Sequence, residues 1–257
     1  MLYIVIYKMF QGGTLYMDRI VMINSSNSNI TTRKATLGAE LDLVSNFIDY
    51  KTTRFKRKKN DDVHLAVFCE PQINNAFPDI IFAEYNIRHF KNWNQFRNML
   101  DNQDLKILYH LYYTKGLESS SIVKQLGITY AVLLKSIEKL MDANLIKRNN
   151  GLWCIKEIDS FFAVTKIESV EAKLNQWNSA LKQALQNTRY SSESYVLSEL
   201  KTKPTQHTVE IFNGYGIGMY LKNQSGFNKV NIAKHSSIPN SYTSVWIGEL
   251  IGRTLNS

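Results

Sequence analysis

Three residues in two separate segments have side chains that could bind a metal ion and assist hydrolysis. The segment IESVEAKL, residues 167–174, contains Glu171 and Lys173 two positions apart. Alternate side chains of a β-strand point to the same face, so these two would lie together. Asp79 stands at the start of another apolar run, in FPDIIF. Two carboxylates are oxygen ligands suited to Mg²⁺, and a neighbouring lysine can stabilise the negative charge that develops when a phosphodiester is hydrolysed.

A solvated strand edge is the alternative explanation for the charged pair. Glu171 and Lys173 would then form an exposed salt bridge between strands, and Asp79 would have no part in it. Pairing Asp79 with nearby Glu84 instead would supply no lysine and would place both acids along one strand. The choice depends on whether the fold brings Asp79 to Glu171, since 92 positions separate them.

The surrounding strands could bring the two carboxylates together. Residues 63–70 and 78–85 are apolar runs typical of consecutive antiparallel strands, and residues 161–173 are rich in β-forming residues. Asp79 opens its predicted strand, whereas Glu171 closes another. If these two strands are antiparallel neighbours, the start of one lies beside the end of the other. An insertion at the opposite end of the sheet would leave this pairing intact.

Helices are predicted on either side of these strands. Residues 37–50 have the spacing of an amphipathic helix, and residues 175–188 predict a second helix capped by Asn175. Residues 194–200 predict a further strand, and residues 207–223 indicate a short helix followed by a strand.

A helical module occupies the interval between the two carboxylates. Residues 101–116 and 129–143 have helical apolar spacing, and a short helix is predicted from Glu118 to Leu126. Asn149-Asn150-Gly151 separates two short apolar runs and predicts a tight hairpin. This order resembles the winged helix-turn-helix regulators over about 55 residues.

That resemblance implies a recognition helix at residues 129–143 and a wing, both facing duplex DNA. A module that only mediates protein contacts is the alternative. The implied DNA contacts are Thr129, Tyr130, Lys135 and Lys139 on the helix, with Lys147 and Arg148 on the wing.

With this module set aside, the order helix, strand, strand, strand, helix, strand resembles the PD-(D/E)xK nuclease superfamily. FPDIIF supplies Pro78-Asp79, and IESVEAKL supplies Glu171-Ala172-Lys173. The following helix continues the match with Trp177, Ala180-Leu181 and Gln183-Ala184. The resemblance spans about residues 37–100 and 157–200. It implies a mixed α/β (α+β) restriction-endonuclease-like fold, with a sheet flanked by helices and interrupted by the winged helix-turn-helix.

The same resemblance assigns roles to the motif residues. Asp79, Glu171 and the backbone carbonyl of Ala172 would bind Mg²⁺ or Mn²⁺, and Lys173 would assist the reaction. Gln183 would hold phosphate or water, although a hydrogen bond between helix and sheet explains it equally well. The implied domains are an N-terminal hairpin with half of the core (residues 1–98), the insertion (99–156) and the remaining core (157–257).

Three further acidic residues lie near the predicted site in the sequence. Glu40 on the first helix and Glu70 at the end of its strand are expected to be solvated or capping residues rather than metal ligands. Glu168 stands three positions before Glu171 and should face the other side of a regular strand. We therefore expect a structural role for Glu168.

The charge of the chain is compatible with a nucleic-acid partner. The 257 residues carry a net charge of +9. The densest basic run is RFKRKK, residues 54–59, which is expected to form a loop that is either solvated or bound to phosphates. The phosphate contacts expected there are Arg54, Lys56, Arg57 and Lys58.

Other features of the composition narrow the class of protein. The chain has 2 cysteines with no metal-ligand spacing around either, which disfavours structural zinc and suits a reducing cytoplasm. No apolar run is long enough to predict a membrane-spanning helix. Residues 2–23 predict a β-hairpin around a glycine turn.

These features favour a cytoplasmic, metal-dependent DNA nuclease that binds duplex DNA with its winged helix. Cutting both strands would favour a homodimer. The alternative is a DNA-binding transcriptional regulator or sensor whose nuclease-like core is inactive. A third hypothesis is an enzyme directed at RNA or at a particular nucleic-acid structure.

Overall fold

A computed structural model describes most of the chain. Its described residues are 15–17, 19–24, 30–33, 38–73, 77–91, 93–156, 162–174, 176–199 and 204–256. Most of the predicted hairpin at residues 2–23 lies outside these ranges, as does the predicted helix cap Asn175. The prediction of one continuous second arm for this hairpin is wrong, because Leu15–Met17 and Ile20–Ile23 are two strands that pair antiparallel with each other.

The described residues form ten strands. They are β1 (Leu15–Met17), β2 (Ile20–Ile23), β3 (Val63–Cys69), β4 (Ile80–Asn86), β5 (Ile146–Asn149), β6 (Leu152–Ile155), β7 (Val164–Ala172), β8 (Glu193–Glu199), β9 (Gly218–Asn223) and β10 (Gly226–Asn231). Eight of them make one sheet in the order β1-β2-β3-β4-β7-β8-β9-β10, and β5 pairs with β6 alone. The large sheet is mixed, because β4 is antiparallel to both neighbours whereas β7, β8 and β9 run parallel.

The described residues also form seven α-helices, of which α1, α5, α6 and α7 cover the two faces of the large sheet. The seven are α1 (Ala39–Lys56), α2 (Asn102–Thr114), α3 (Ser119–Leu126), α4 (Tyr130–Asp142), α5 (Trp177–Asn187), α6 (Gln206–Gly214) and α7 (Tyr242–Leu255). Helix α1 packs Leu43 and Phe47 against the face of β4 and β7 that carries Phe82 and Val170. Helices α5, α6 and α7 pack on the opposite face. The observed class is therefore mixed α/β, as expected.

None of the described helices is both long enough and apolar enough to cross a membrane.

Helix α1 is longer than its apolar spacing predicts. It continues to Lys56, so Arg54 and Lys56 lie in its last turn and the loop prediction is wrong for them. Arg57 and Lys58 follow the helix and are exposed. Basic side chains in a last turn interact favourably with the helix dipole, which explains how a basic run can continue a helix.

Three helices and the β5–β6 hairpin stand between β4 and β7, as predicted from the spacing of apolar residues. Asp101 caps α2 and forms a reciprocal capping box with Asp104. These helices pack around Leu105, Leu108 and Leu140, and Val245 of α7 belongs to the same apolar core. The chain leaves the sheet at the end of β4 and returns at the start of β7, which is the end of the sheet opposite Asp79.

We call α2, α3, α4 and the β5–β6 hairpin the helical segment. Helix α7 joins this segment to the sheet. Its Glu249 forms a buried ion pair with Arg97, which lies just before α2. Arg253 donates a hydrogen bond of 3.0 Å to the carbonyl of Arg97. Gly252 packs against Trp93 so closely that a Cβ atom there would lie 2.0 Å from the indole ring. The contact therefore requires glycine.

Candidate active site

Asp79 and Glu171 lie opposite each other where β4 begins and β7 ends. The register pairs Ile80 with Val170, which places the preceding Asp79 across from Glu171. The amide N–H of Ala172 donates a 2.7 Å hydrogen bond to Asp79 Oδ2. Both acidic residues are buried, at 4% and 2% exposure. The antiparallel pairing expected from the sequence is thus observed, and the two acids are not on a solvated edge.

Lys173, directly after β7, links Asp79 to Glu40. Its Nζ donates a 2.6 Å hydrogen bond to Glu40 Oε1 and lies 3.9 Å from Asp79 Oδ2. Glu40 is in the first turn of α1, so this helix end lies against the site. The expectation of a solvated or capping Glu40 is wrong, because its carboxylate pairs with the lysine of the motif.

Arg33 links Asp79 to a further acid. Its guanidinium is 3.1 Å from Glu70 Oε2 and 3.0 Å from Asp79 Oδ1. Glu70 is buried, and its amide donates to the carbonyl of Asp79 at 2.9 Å. The expectation of a solvated or capping Glu70 is therefore also wrong.

We call this group the carboxylate cluster. Its members are Arg33, Glu40, Glu70, Asp79, Glu171 and Lys173.

Helix α5 holds Glu171 from the opposite side. Asn187 Nδ2 donates a 2.6 Å hydrogen bond to Glu171 Oε1, and Tyr190 donates its hydroxyl proton to Asn187 Oδ1 at 2.8 Å. Asn187 is 1% exposed, so this support is fixed by packing. Gln183 lies one turn earlier on the same side of α5.

Sequence reasoning missed Arg33, Asn187 and Tyr190. Asn187 follows Gln183 by four positions, and this helical spacing was the available signal. Nothing in the sequence around Arg33 marks it, because its role comes from contacts with two distant strands.

Burial raises the pKa of both acids. For Glu171 the loss of solvent is the main cause and the Asp79 charge adds to it, raising the pKa to about 8 although Asn187 and Lys173 act in the opposite direction. Burial also raises the pKa of Asp79, against the charge of Lys173 and the Ala172 amide. For Lys173, burial lowers the pKa, but Asp79 and Glu40 outweigh it and the net shift is upward. A cation bound here would therefore displace a proton from a carboxyl group that holds it near neutral pH.

Two buried oxygen atoms of this region have no hydrogen-bond partner among the described residues. They are Glu171 Oε2 and Gln183 Oε1. Buried acceptors are costly when unpaired, and a cation or water would satisfy them. The described ranges contain no group of three or more His, Cys, Asp and Glu side chains arranged to hold a metal. Mg²⁺ commonly takes one or two carboxylates and completes its shell with water and phosphate, so the pair Asp79 and Glu171 fits this ion.

Ala172 and Glu168 are the two other residues of β7 for which the sequence predicts a role. Ala172 contributes its N–H to the cluster, and the proposed role of its carbonyl stays a prediction. Glu168 faces the opposite side of β7, where Lys51 Nζ contacts both of its oxygens at 2.7 and 2.8 Å. The structural role expected for Glu168 agrees with this ion pair.

The candidate DNA-binding residues of the helical segment are mostly exposed. Tyr130 is 54% exposed, and Lys135, Lys147 and Arg148 are also on the surface. Thr129 caps α4 by accepting a hydrogen bond from Val132. All of these lie outside the carboxylate cluster, so their expected DNA contacts stay predictions.

Lys139 differs from the other predicted DNA contacts because carboxylates bind its ammonium group. Its Nζ lies 2.9 Å from Asp101 Oδ2 and 2.9 Å from Asp104 Oδ2, both in the capping box of α2. The side chain therefore stabilises the helical segment and is not a free cation on the surface of α4.

Comparisons of the chain with family models, with curated proteins and with solved structures found no match.

Proposed function

We propose that the chain is a metal-dependent DNA nuclease of the PD-(D/E)xK type. In this proposal the large sheet is the restriction-endonuclease-like core, and residues 99–156 are an inserted winged helix-turn-helix. One observation carries the proposal: Asp79 and Glu171 lie opposite each other on adjacent antiparallel strands, with Lys173 against Asp79. Burying two acidic side chains lowers the stability of the fold. Phosphodiester hydrolysis therefore explains two buried acids beside a lysine better than a purely structural role does.

Each residue of the site would have a separate role in hydrolysis. Asp79 and Glu171 would hold Mg²⁺ or Mn²⁺, together with the carbonyl of Ala172. The bound ion would lower the pKa of a bound water molecule and polarise the phosphoryl oxygen. Lys173 would donate to the phosphate as negative charge develops on it, and its pairing with Glu40 orients the ammonium group. Asn187 would fix the direction of the Glu171 carboxylate.

The exposed cations of the helical segment support binding to DNA. Lys135 on α4 and Lys147 and Arg148 on β5 are available to phosphates, and the chain has a net charge of +9. Few of these side chains lie on α4 itself. Most of the expected affinity would therefore come from contacts with DNA phosphates rather than from contacts with the bases.

A DNA-binding regulator with an inactive core is the second candidate. Both oxygens of Asp79 already accept hydrogen bonds, one from Arg33 and one from Ala172. Lys173 is likewise paired with Glu40. Because these groups are already hydrogen-bonded to one another, the site would be stable without a bound ion.

A metal titration on supercoiled plasmid separates the two candidates. The wild type should nick or cut the plasmid with Mg²⁺ or Mn²⁺ and lose activity in EDTA. Glu171→Gln keeps the shape of the side chain and should abolish cleavage, whereas Glu210→Gln, at an exposed position on α6, should cleave normally. Duplex binding without cleavage of any DNA or RNA under both metals would favour the regulator.

A further inference from the structure

A second charged site lies on the other face of the sheet. A cavity of about 650 Å³ opens between the last turns of α1 and strands β4, β7, β9 and β10. It includes Arg54, fourteen residues after Glu40 along the same helix. At 1.5 Å per residue this places Arg54 about 20 Å from the carboxylate cluster. The cavity is therefore a separate site, within the size range of small-molecule pockets.

Cations outnumber carboxylates around this cavity, which we call the basic cavity. Its charged lining residues are Lys51, Arg54, Lys58, Lys166 and Lys229, with Glu84 and Glu168.

Three of these cations already have carboxylate partners. Lys51 contacts Glu168 at 2.7 Å, and Lys58 contacts Glu84 at 2.6 Å. Lys166 contacts Glu193, behind the cavity, at 2.9 Å. The carboxylates near the cavity are thus each bound by a lysine.

Arg54 and Lys229 remain as the excess positive charge. Within the described part of the chain, neither forms a salt bridge with a carboxylate; Arg54 donates to the Tyr50 hydroxyl, and Lys229 donates to the Tyr195 hydroxyl at 3.0 Å. Burial lowers the pKa of Lys229 and repulsion from Lys51 adds to this, although the charge of Glu168 acts in the opposite direction. Holding several like charges together is unfavourable unless an anion joins them.

Aromatic rings form part of the same lining. Tyr50 and Phe227 are half-buried at the cavity, with their ring centroids 5.2 Å apart. Tyr220 lies deeper, under the ammonium groups of Lys51 and Lys229. A flat ring can stack on such a surface while an attached anion reaches the lysines.

We infer that the basic cavity binds a nucleotide, with the base against Tyr50 and Phe227 and the phosphates at Arg54 and Lys229. A phosphate alone would leave the aromatic surface bare, and a nucleoside alone would leave the cations unpaired. Only a ligand with both parts satisfies both features. The site is independent of the proposed nuclease activity, because it shares no residue with the carboxylate cluster.

Calorimetric titration with ADP, adenosine and inorganic phosphate tests this site, with EDTA present to prevent metal-bridged binding. We expect ADP to bind at least about 10-fold more tightly than either of its parts, since both the charged contacts and the stacking contribute to affinity. Lys229→Gln should weaken ADP binding about 10-fold. Tyr50→Leu should weaken it about 5-fold or more through lost stacking.

Two matched variants give the controls. Lys182→Gln, at an exposed lysine on α5, and Glu171→Gln should both leave ADP affinity unchanged. The inference is overturned if ADP does not bind, if phosphate binds as tightly as ADP, or if Lys182→Gln weakens binding as much as Lys229→Gln. Binding of oligonucleotides but not of ADP would also overturn it, and would assign the cations to DNA.

Discussion

The carboxylate cluster and the basic cavity have opposite charge imbalances on the same sheet. The cluster combines four carboxyl groups with two cations, whereas the cavity combines five cations with two lining carboxylates and Glu193 behind it. Each site therefore lacks part of the opposite charge that would balance it. The comparison suggests that the protein meets a cation at one end of α1 and an anion at the other.

Strand β7 contributes one glutamate to each site, and these two residues show the difference most directly. Glu168 and Glu171 are both buried, at 3% and 2% exposure. Both oxygens of Glu168 are bound by Lys51, whereas Glu171 Oε2 has no partner among the described residues. A saturated carboxylate stabilises the fold, and an unsaturated one is available for chemistry.

The largest effect should come from Glu171→Gln. We expect cleavage to fall about 1000-fold, because the variant removes a metal ligand and its charge. Urea unfolding at pH 8 should show equal or greater stability than the wild type, since the amide avoids burying a carboxylate. Retained single-turnover cleavage would remove Glu171 from the reaction.

Glu168→Gln should reverse this pattern. Loss of the carboxylate leaves Lys51 with a side-chain exposure of 20% and no full counter-charge, which should cost about 3 kcal/mol of unfolding free energy. Cleavage at a temperature well below the unfolding midpoint should be unchanged. Equal losses of stability in Glu168→Gln and Glu171→Gln would contradict the distinction between the two faces of β7.

The pH dependence of stability gives a smaller effect with a definite sign. The folded protein holds the proton of Glu171 up to a pKa of about 8, whereas the unfolded chain releases it near the ordinary glutamate pKa of 4.5. The folded state therefore holds more protons in this window, so stability should fall as pH rises through it, by at most about 1.4 kcal/mol per pH unit.

Denaturant titrations at several pH values in EDTA would measure this slope. Glu171→Gln should flatten the slope, and replacing EDTA with Mn²⁺ should flatten it as well because the ion favours the ionised carboxylate. A wild-type stability that rises with pH across the window would show that Glu171 is ionised without metal.

The smallest effect should come from the exposed cations of the helical segment. Replacing both Lys147 and Arg148 with glutamine should weaken duplex binding and reduce the slope of log affinity against log salt by about 2. The same change at Lys182 on α5 should do nothing. If the slope is unchanged, the helical segment does not contact the phosphate backbone. A role in binding another protein would then be the better hypothesis for this segment.

The arrangement of strands could be predicted from the sequence because it follows from local patterns. Apolar runs marked β3, β4 and β7, and antiparallel geometry then placed Asp79 beside Glu171. The alternation of side chains also assigned Glu168 to the other face. The helices and hairpin between β4 and β7 followed from apolar spacing and from glycine and asparagine turns.

The partners of the site could not be predicted in the same way. Glu40, Glu70 and Arg33 reach the site through single long-range contacts, and side chains of their types are usually solvated. The loop predicted for the basic run at residues 54–59 was wrong for a related reason, since long-range packing decides its structure. Arg54 and Lys56 continue α1 because the helix is fixed by packing of Phe55, which is 4% exposed, on the sheet. The lining of the basic cavity comes from one helix and five strands that are far apart in the sequence, so no local sequence pattern marks it.

The attachment of α7 to Arg97 and Trp93 has a consequence for biosynthesis. During translation, α7 emerges after every other helix and strand that the structure describes. Val245 of α7 belongs to the apolar core of the helical segment, so that core is incomplete until α7 is made. A nascent chain at that stage also exposes the face of the sheet that α7 covers. Chaperone protection would therefore matter most just before α7 leaves the ribosome.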